Sequence, residues 1–293
     1  MNLLGEEGRE PDSTASADPL RVAFGDCPNW EKLIRPHLDG RYAASFVDLS
    51  HTRLSKFDAV VPLQLNHYGP LRRHSGMQGS KFLLPSSHAV TLCDDKLKFS
   101  QFLVAEGFGD VIPGLRPAGK PYPYVWKKRR GWWGAHCRVV NGPQDEIDLD
   151  LKDHDWFAQE LIPGEVEFAT HVLRVDGEIR YTSTYVHKMS GGALINGVKD
   201  SPLHSGFMRS CLYLDLFSDI LARLEFEGTA CIDYKVVRGK PVIFEINPRF
   251  GGSLCSDITA YLDAYVGSLQ SRSPRPGLRS RMSRLARLLF VNL

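Results

Sequence analysis

The chain lacks the features that would place it in several protein classes. No apolar run approaches the ~20 residues needed to span a bilayer. The N-terminus has no basic start followed by an apolar signal segment, so a cytoplasmic protein is expected. Cys27, Cys93, Cys137, Cys211, Cys231 and Cys255 are scattered without a Cys-x-x-Cys pair, which indicates neither a zinc site nor a disulfide framework and leaves free buried thiols as the expectation. Charge of one sign is also missing: a net charge of +2 over 293 residues makes no strong case for nucleic acid or membrane as a partner. The region from Leu20 to about residue 90 contains no Gly-x-Gly-x-x-Gly, so a Rossmann dinucleotide site is not expected there. The composition that remains, 43% apolar and 24% charged, is that of an ordinary globular protein of roughly two domains.

Residues 1–19 are rich in Gly, Glu, Asp, Ser and Pro and carry too little apolar surface to fold, so they read as a tail. From Leu20 to about residue 90, apolar runs at 20–25, 43–49, 57–63 and 81–85, with a helical stretch at 30–38, predict a small parallel α/β unit. Asp94 or Asp95 can cap a helix carrying Leu97, Phe99, Phe102 and Leu103 and ended by Gly107. Lys96 stands at the start of that helix, where the dipole does not favour a cation; it is either solvated or aimed at an anion.

Four later stretches carry chemistry. Tyr124-Val-Trp-Lys-Lys-Arg-Arg-Gly-Trp-Trp-Gly reads as a strand ending in basic residues, then a glycine loop that lets backbone approach a phosphate, or else a nucleic-acid patch with Trp132 and Trp133 as stacking surfaces. The stretch 156–173 reads as a strand broken at Pro163-Gly164, leaving backbone groups at Leu161 and Ile162 free for a planar heterocycle, or as a plain meander. A strand at 179–187 leads through Lys188 into a loop to about residue 205, where Asn196, Lys199, Asp200 and His204 are polar hints, and an amphipathic helix follows at 212–226. The last is Cys-Ile-Asp-Tyr-Lys-Val-Val-Arg-Gly-Lys-Pro-Val-Ile-Phe-Glu-Ile-Asn-Pro-Arg-Phe-Gly-Gly-Ser, 231–253, two strands joined through Arg238, Gly239 and Lys240. With a three-residue loop Val237 opposes Pro241 and Asp233 opposes Glu245; alternation then turns Glu245 and Asn247 to one face and Phe244 and Ile246 to the other. Three oxygen donors on one face suit a hard cation such as Mg²⁺. Ser253 is placed to cap a final helix through about residue 269, and Arg272, Arg275, Arg279, Arg281, Arg284 and Arg287 then interleave with apolar residues in a basic segment over 271–293.

Together these parts resemble the ATP-grasp superfamily, and Phe-Glu-Ile-Asn-Pro-Arg-Phe-Gly-Gly-Ser is similar to the form in its carbamoyl-phosphate-synthetase-like and biotin-carboxylase-like members. The resemblance implies an α/β and α+β fold: a parallel α/β pre-domain over 20–90, then a lid subdomain over 91–157 and a core subdomain over 158–270 that clamp the nucleotide. It further implies ATP and Mg²⁺ (or Mn²⁺) as cofactors, with Asp233, Glu245 and Asn247 as metal ligands and Lys96 and Lys127 on the phosphates. Gln159, Glu160, Leu161 and Ile162 would frame the adenine, and Glu167, with Glu165 as competitor, would take the ribose. Arg249 and Lys188 are the implied catalytic residues. The loop after Lys127 is bulkier than the family pattern, so the register between Lys127 and Lys128 stays open.

The implied chemistry is activation of a small-molecule carboxylate as an acyl phosphate and its joining to an amine. Two rivals stand beside it: an enzyme of this fold that transfers phosphate or makes a carbamoyl or carboxy phosphate, and a non-catalytic nucleotide-binding module that docks through its arginine tail. The oligomeric state is open, although members of the family often form homodimers.

Overall fold

The structure, a computed structural model, describes residues 18–116, 121–131, 136–189 and 202–272. Strand β1 (Leu20–Gly25), helix α1 (Pro28–Ile34), β2 (Tyr42–Val47) and β3 (Ala59–Val61) open the chain, and the strands form a parallel sheet in the order β2-β1-β3. Every residue of β3 is fully buried, as a strand covered on both faces requires. The expected fourth strand at 81–85 does not form. Val60 N–H donates to Lys81 C=O at 2.7 Å, but Phe82 makes only an isolated bridge to Gln78. Gly79, at φ +88°, turns the chain so that its N–H bonds Phe82 C=O at 2.8 Å, and this tight turn consumes the backbone groups a ladder would need.

Helix α2 (Tyr68–Arg72) follows, then α3 (Ser87–Asp94), which the sequence pattern did not mark although Ser86 Oγ caps it by accepting from Ala89 N–H at 3.0 Å. Helix α4 (Lys96–Ala105) is capped by Asp95, whose carboxylate accepts from Lys98 N–H at 3.2 Å. Strands β4 (Leu115–Arg116), β5 (Tyr124–Lys128), β6 (Cys137–Val140) and β7 (Trp156–Glu160) form an antiparallel sheet in the order β4-β7-β5-β6. The third sheet contains β8 (Val166–Val175), β9 (Glu178–Lys188), β10 (His204–Met208), β11 (Gly228–Val237) and β12 (Lys240–Asn247) in the order β10-β9-β8-β11-β12. The break at Pro163-Gly164 is therefore a crossing between two sheets, since β7 and β8 pair with different neighbours.

Two apolar cores flank the third sheet. Helices α3 and α4, with α5 (Leu214–Arg223), pack on Ile232, Tyr234, Ile243 and Ile246. Helix α6 (Ile258–Ser271) packs with α1 and the first sheet against Leu173, Val175 and Tyr181. Tyr265 of α6 donates to Val60 C=O at 2.9 Å and accepts from Leu83 N–H at 2.9 Å, so the end of the chain fastens its beginning. Ser253 does not cap this helix, which starts at Ile258 after a 3₁₀ turn over Gly252–Asp257.

The β11–β12 hairpin corrects the expected loop. Val237 opposes Lys240 across a two-residue turn with Arg238 at φ +52° and Gly239 at φ +78°, and a bulge beside Asp233 then shifts the register by one. Asp233 still faces Glu245. Of the other expectations, the tail at 1–17, Trp132 and Trp133, Asn196, Lys199 and Asp200, and the basic segment from residue 273 onward lie outside the described residues. All six cysteines are free thiols, and no helix among the described residues is long and apolar enough to cross a membrane.

The most heavily loaded cap is Asp95. Its carboxylate is fully buried, receives Arg129 Nη2 at 2.7 Å and Nε at 3.0 Å, and also faces Arg130 at 3.3 Å. Asp95→Ala strands the Arg129 guanidinium and uncaps α4, with an expected loss of about 3–5 kcal/mol in chemical denaturation.

Candidate active site

A cleft of about 340 Å³ lies where the second and third sheets meet. Strand alternation sends Cys231, Asp233 and Lys235 of β11 into it, while Ile232 and Tyr234 go to the core. On β12 the bulge changes that rhythm: Ile243 and Ile246 are buried in the core, and Phe244, Glu245 and Asn247 all border the cleft. Phe244, expected on the opposite face, is therefore a cleft residue.

The three expected oxygen donors are in contact. Asn247 Nδ2 donates to Asp233 Oδ2 at 2.9 Å and to Glu245 Oε1 at 3.0 Å, so the amide stands between two carboxylates. Burial pushes the Asp233 carboxyl well above its usual range, and the Glu245 charge adds to the shift. Burial pushes Glu245 the same way, but the Lys96 and Lys127 ammonium groups outweigh it and hold the carboxyl at about 2. Lys96 Nζ lies 3.0 Å from Glu245 Oε2 and donates to Gly131 C=O at 2.6 Å. Lys127 is 6% exposed, and burial lowers its ammonium to about 8. Lys127 is the more deeply buried of the two candidate lysines, although Lys128 also borders the cleft.

Arg249 closes this end, donating from Nη2 to Asn247 Oδ1 at 3.1 Å and lying 5.8 Å over the Trp30 ring. At the other end, Leu161 and Ile162 line the wall. Gln159 Nε2 donates to Pro113 C=O at 3.1 Å, and Glu160 Oε2 accepts from Gly114 N–H at 3.1 Å, so both side chains also brace the wall from behind. Glu167 borders the cleft, whereas Glu165 is exposed and does not. Lys188 is likewise exposed and outside the cleft; alternation along β9 gives that face to its neighbour His187, whose Nδ1 pairs with Ser205 Oγ at 2.9 Å.

One buried group was not anticipated. His171 Nε2 pairs with Ser253 Oγ at 2.7 Å, and its ring fills the space a Cβ on Gly251 would need, 2.4 Å from Cε1. The signal was available: Glu167, Ala169 and His171 alternate on one face of β8, the face that Glu167 turns to the cleft.

The site's composition suits a polyanion with a hard cation. Asp233, Glu245 and Asn247 are hard oxygen donors in mutual contact, a donor set that fits Mg²⁺ in type.

A sequence model of the ATP-grasp domain matches residues 93–253, more than half of the chain. The chain belongs to this family. Among solved structures it is similar to the D-alanine–D-alanine ligase of Bacillus anthracis complexed with ATP, with TM-score 0.57 and 14% identity over 92% of this chain and 100% of that one. It is similar also to the N5-carboxyaminoimidazole synthase of Aspergillus clavatus in complex with ADP and 5-aminoimidazole ribonucleotide, with TM-score 0.56 and 14% identity over 89% of this chain and 79% of that one. A third is the L-amino acid ligase of Bacillus licheniformis, with TM-score 0.53 and 14% identity over 82% of this chain and 70% of that one. At these identities the likeness is one of fold: a parallel sheet followed by antiparallel sheets, as in ATP-grasp ligases. No curated protein matches the chain.

The His171 ring gives a pH test. Burial, with the nearby Arg249 charge, lowers its pKa to about 3, against ~6.5 in an unfolded chain. The fold thus favours the neutral ring, and that contribution is complete above about pH 6.5 and declines as the pH falls toward 3. Between pH 6.5 and 4.5 the wild type is expected to lose up to ~3 kcal/mol more than His171→Gln, which cannot titrate. Equal losses in denaturation series at the two pH values would contradict this.

Proposed function

We propose that the chain is an ATP- and Mg²⁺-dependent ligase that activates a small-molecule carboxylate as an acyl phosphate and joins it to an amine. The observation that carries this reading is the facing of two charge sets in one cleft: Asp233 and Glu245 bridged by Asn247, and Lys96 and Lys127 opposite them. A lysine whose burial lowers its ammonium to about 8 gains most when a polyanion arrives, and both lysines stand where the γ-phosphate would lie. Asp233, Glu245 and Asn247 would hold Mg²⁺, which when bound neutralises phosphate charge. Leu161 and Ile162 would border the adenine and Glu167 the ribose hydroxyls, while Glu165 and Lys188 are left out by their exposure. The division into pre-domain, lid and core belongs to the same proposal, with the lid's expected end at residue 157 moved to Glu160 because β7 pairs within the second sheet.

In this mechanism an oxygen of the substrate carboxylate attacks the γ-phosphorus in line. The bond from that phosphorus to the β–γ bridging oxygen breaks, and ADP leaves. An amine nitrogen then attacks the acyl carbon, and the carbon–oxygen bond to the phosphoryl group breaks. Inorganic phosphate departs, and the amine proton is released to phosphate or solvent. Lys96 and Lys127 hold the phosphates, and Arg249, steadied by Asn247 and Trp30, faces the charge that develops. The protein supplies orientation and electrostatics.

An ADP-release screen of carboxylates paired with amines, followed by ³¹P NMR and mass spectrometry of the products, separates amide formation from phosphate transfer or a carbamoyl or carboxy phosphate. With the substrates so found, Lys127→Met and Glu245→Gln are expected to lower turnover by ~10² or more while the fold is kept. Unchanged ATP turnover in Glu245→Gln and Asn247→Ala would sink the assignment.

A further inference from the structure

Lys235 is a buried charge for which the phosphate chemistry has no use. It is 2% exposed and stands two residues along β11 from Asp233, so it shares the cleft face at the opposite end from Lys96. In the β8–β11 ladder Lys235 lies directly across from Glu167. Its Nζ donates to Ile162 C=O at 3.3 Å and lies 3.7 Å from Glu167 Oε1. One ammonium thus ties three pieces of the nucleoside end: the floor strand, the carboxylate on the neighbouring strand, and the segment that crosses between the sheets.

Stability does not require this arrangement. A cross-strand ion pair this deeply buried contributes little net, and two apolar side chains in its place would serve as well or better. What the pair does supply is a carboxylate of fixed orientation. Glu167 retains 15% exposure of its side chain, on the cleft side, while Lys235 is almost fully enclosed, so the acceptor faces the ligand and its counter-ion faces the protein. An ionised carboxylate accepts only, and it has room for two donors side by side. The vicinal hydroxyls of a ribose are such a pair.

We infer that Lys235 is a positioning residue of a ribose subsite: it holds Glu167 and the Ile162 carbonyl in register so that the carboxylate accepts from both ribose hydroxyls, and discrimination against 2′-deoxynucleotides depends on it. The inference rests on the reading of the cleft as an ATP site. Removing the 2′-hydroxyl leaves the oriented carboxylate one donor short on its ligand side, and that loss falls on the deoxynucleotide alone. Without the ammonium, Glu167 loses the hold that Lys235 supplies and gains access to water, and both nucleotides meet the same softened site.

Titration calorimetry of the full chain with Mg·ATP and Mg·2′-deoxy-ATP tests this. The wild type is expected to bind ATP about tenfold more tightly than 2′-deoxy-ATP, the value of one charge-assisted hydrogen bond. In Lys235→Met, ATP affinity is expected to fall by about tenfold while the 2′-deoxy affinity changes little, so that the ratio approaches one. Lys235→Arg, which keeps the charge, should restore part of the ratio, and Glu167→Gln should remove it, which keeps the test decisive if the methionine variant does not fold. A purely structural lysine predicts a different pattern: both nucleotides weaken together in the variants and the wild-type ratio survives. That result, or a wild-type ratio near one, overturns the inference while the ATP-site reading stands. Failure of the wild type to bind ATP overturns that reading and the inference with it.

Discussion

The pairing of the ionised Glu245 carboxylate with Lys96 is the interaction around which the site is built. A carboxyl at the bottom of this cleft would be neutral if burial alone decided, and Lys96 at 3.0 Å, supported by Lys127, reverses the balance. The pairing joins elements that share no backbone ladder. Lys96 is the first residue of α4, Asp95 caps that helix, and Arg129, just past β5, clamps Asp95 at 2.7 Å. On the other side Asn247 bonds Glu245 at 3.0 Å and receives Arg249 at 3.1 Å, and Arg249 reaches Trp30 of α1. Polar contacts therefore run from the second sheet through the third to the edge of the first.

The apolar framework makes that polar run possible by dividing labour between strand faces. On β11 and β12 the core face is closed by Ile232, Tyr234, Ile243 and Ile246, all buried. The opposite face is left to carry charge. Without the bulge, strict alternation would put Phe244 and Glu245 on opposite sides. With it, a ring and a carboxylate stand side by side at the cleft while both flanking isoleucines remain in the core. Helix α6 and Tyr265 anchor the first sheet against the third, which places Trp30 where it can support Arg249.

The sequence made some of this legible for physical reasons. Acidic and amide residues within apolar strands must be compensated, so Asp233, Glu245 and Asn247 stood out, and parity of position was enough to group them. Their pairing emerged through two errors that cancel: the turn has two residues where three were expected, and the bulge restores the one-residue shift. The family resemblance implies Lys188, but alternation turns it away and gives the cleft to His187. The segment at 81–85 has strand composition, yet the turn at Gly79 uses its backbone groups locally. His171 escaped notice because a lone histidine in an apolar strand carries no charge signal; only its face, shared with Glu167, connects it to the site. Helix α3 was missed because its eight residues offer a weak periodic pattern between stronger neighbours.

The unevenness has a chemical cause. A polyphosphate and its metal ion demand fixed charges held against desolvation, and such charges are conspicuous wherever the surrounding strand is apolar. A planar group would demand only backbone groups and a flat wall, and Leu161 and Ile162 border the cleft without any distinctive residue type. The rest of the cleft wall is the least regular in composition, and there Arg249, His187 and Ser253 are contributed by three different segments. Only the assembled fold brings those three together. Site residues thus become harder to read from sequence as the charge they must carry falls, and the parts of the cleft that charge constrains least are the parts that only the assembled fold defines.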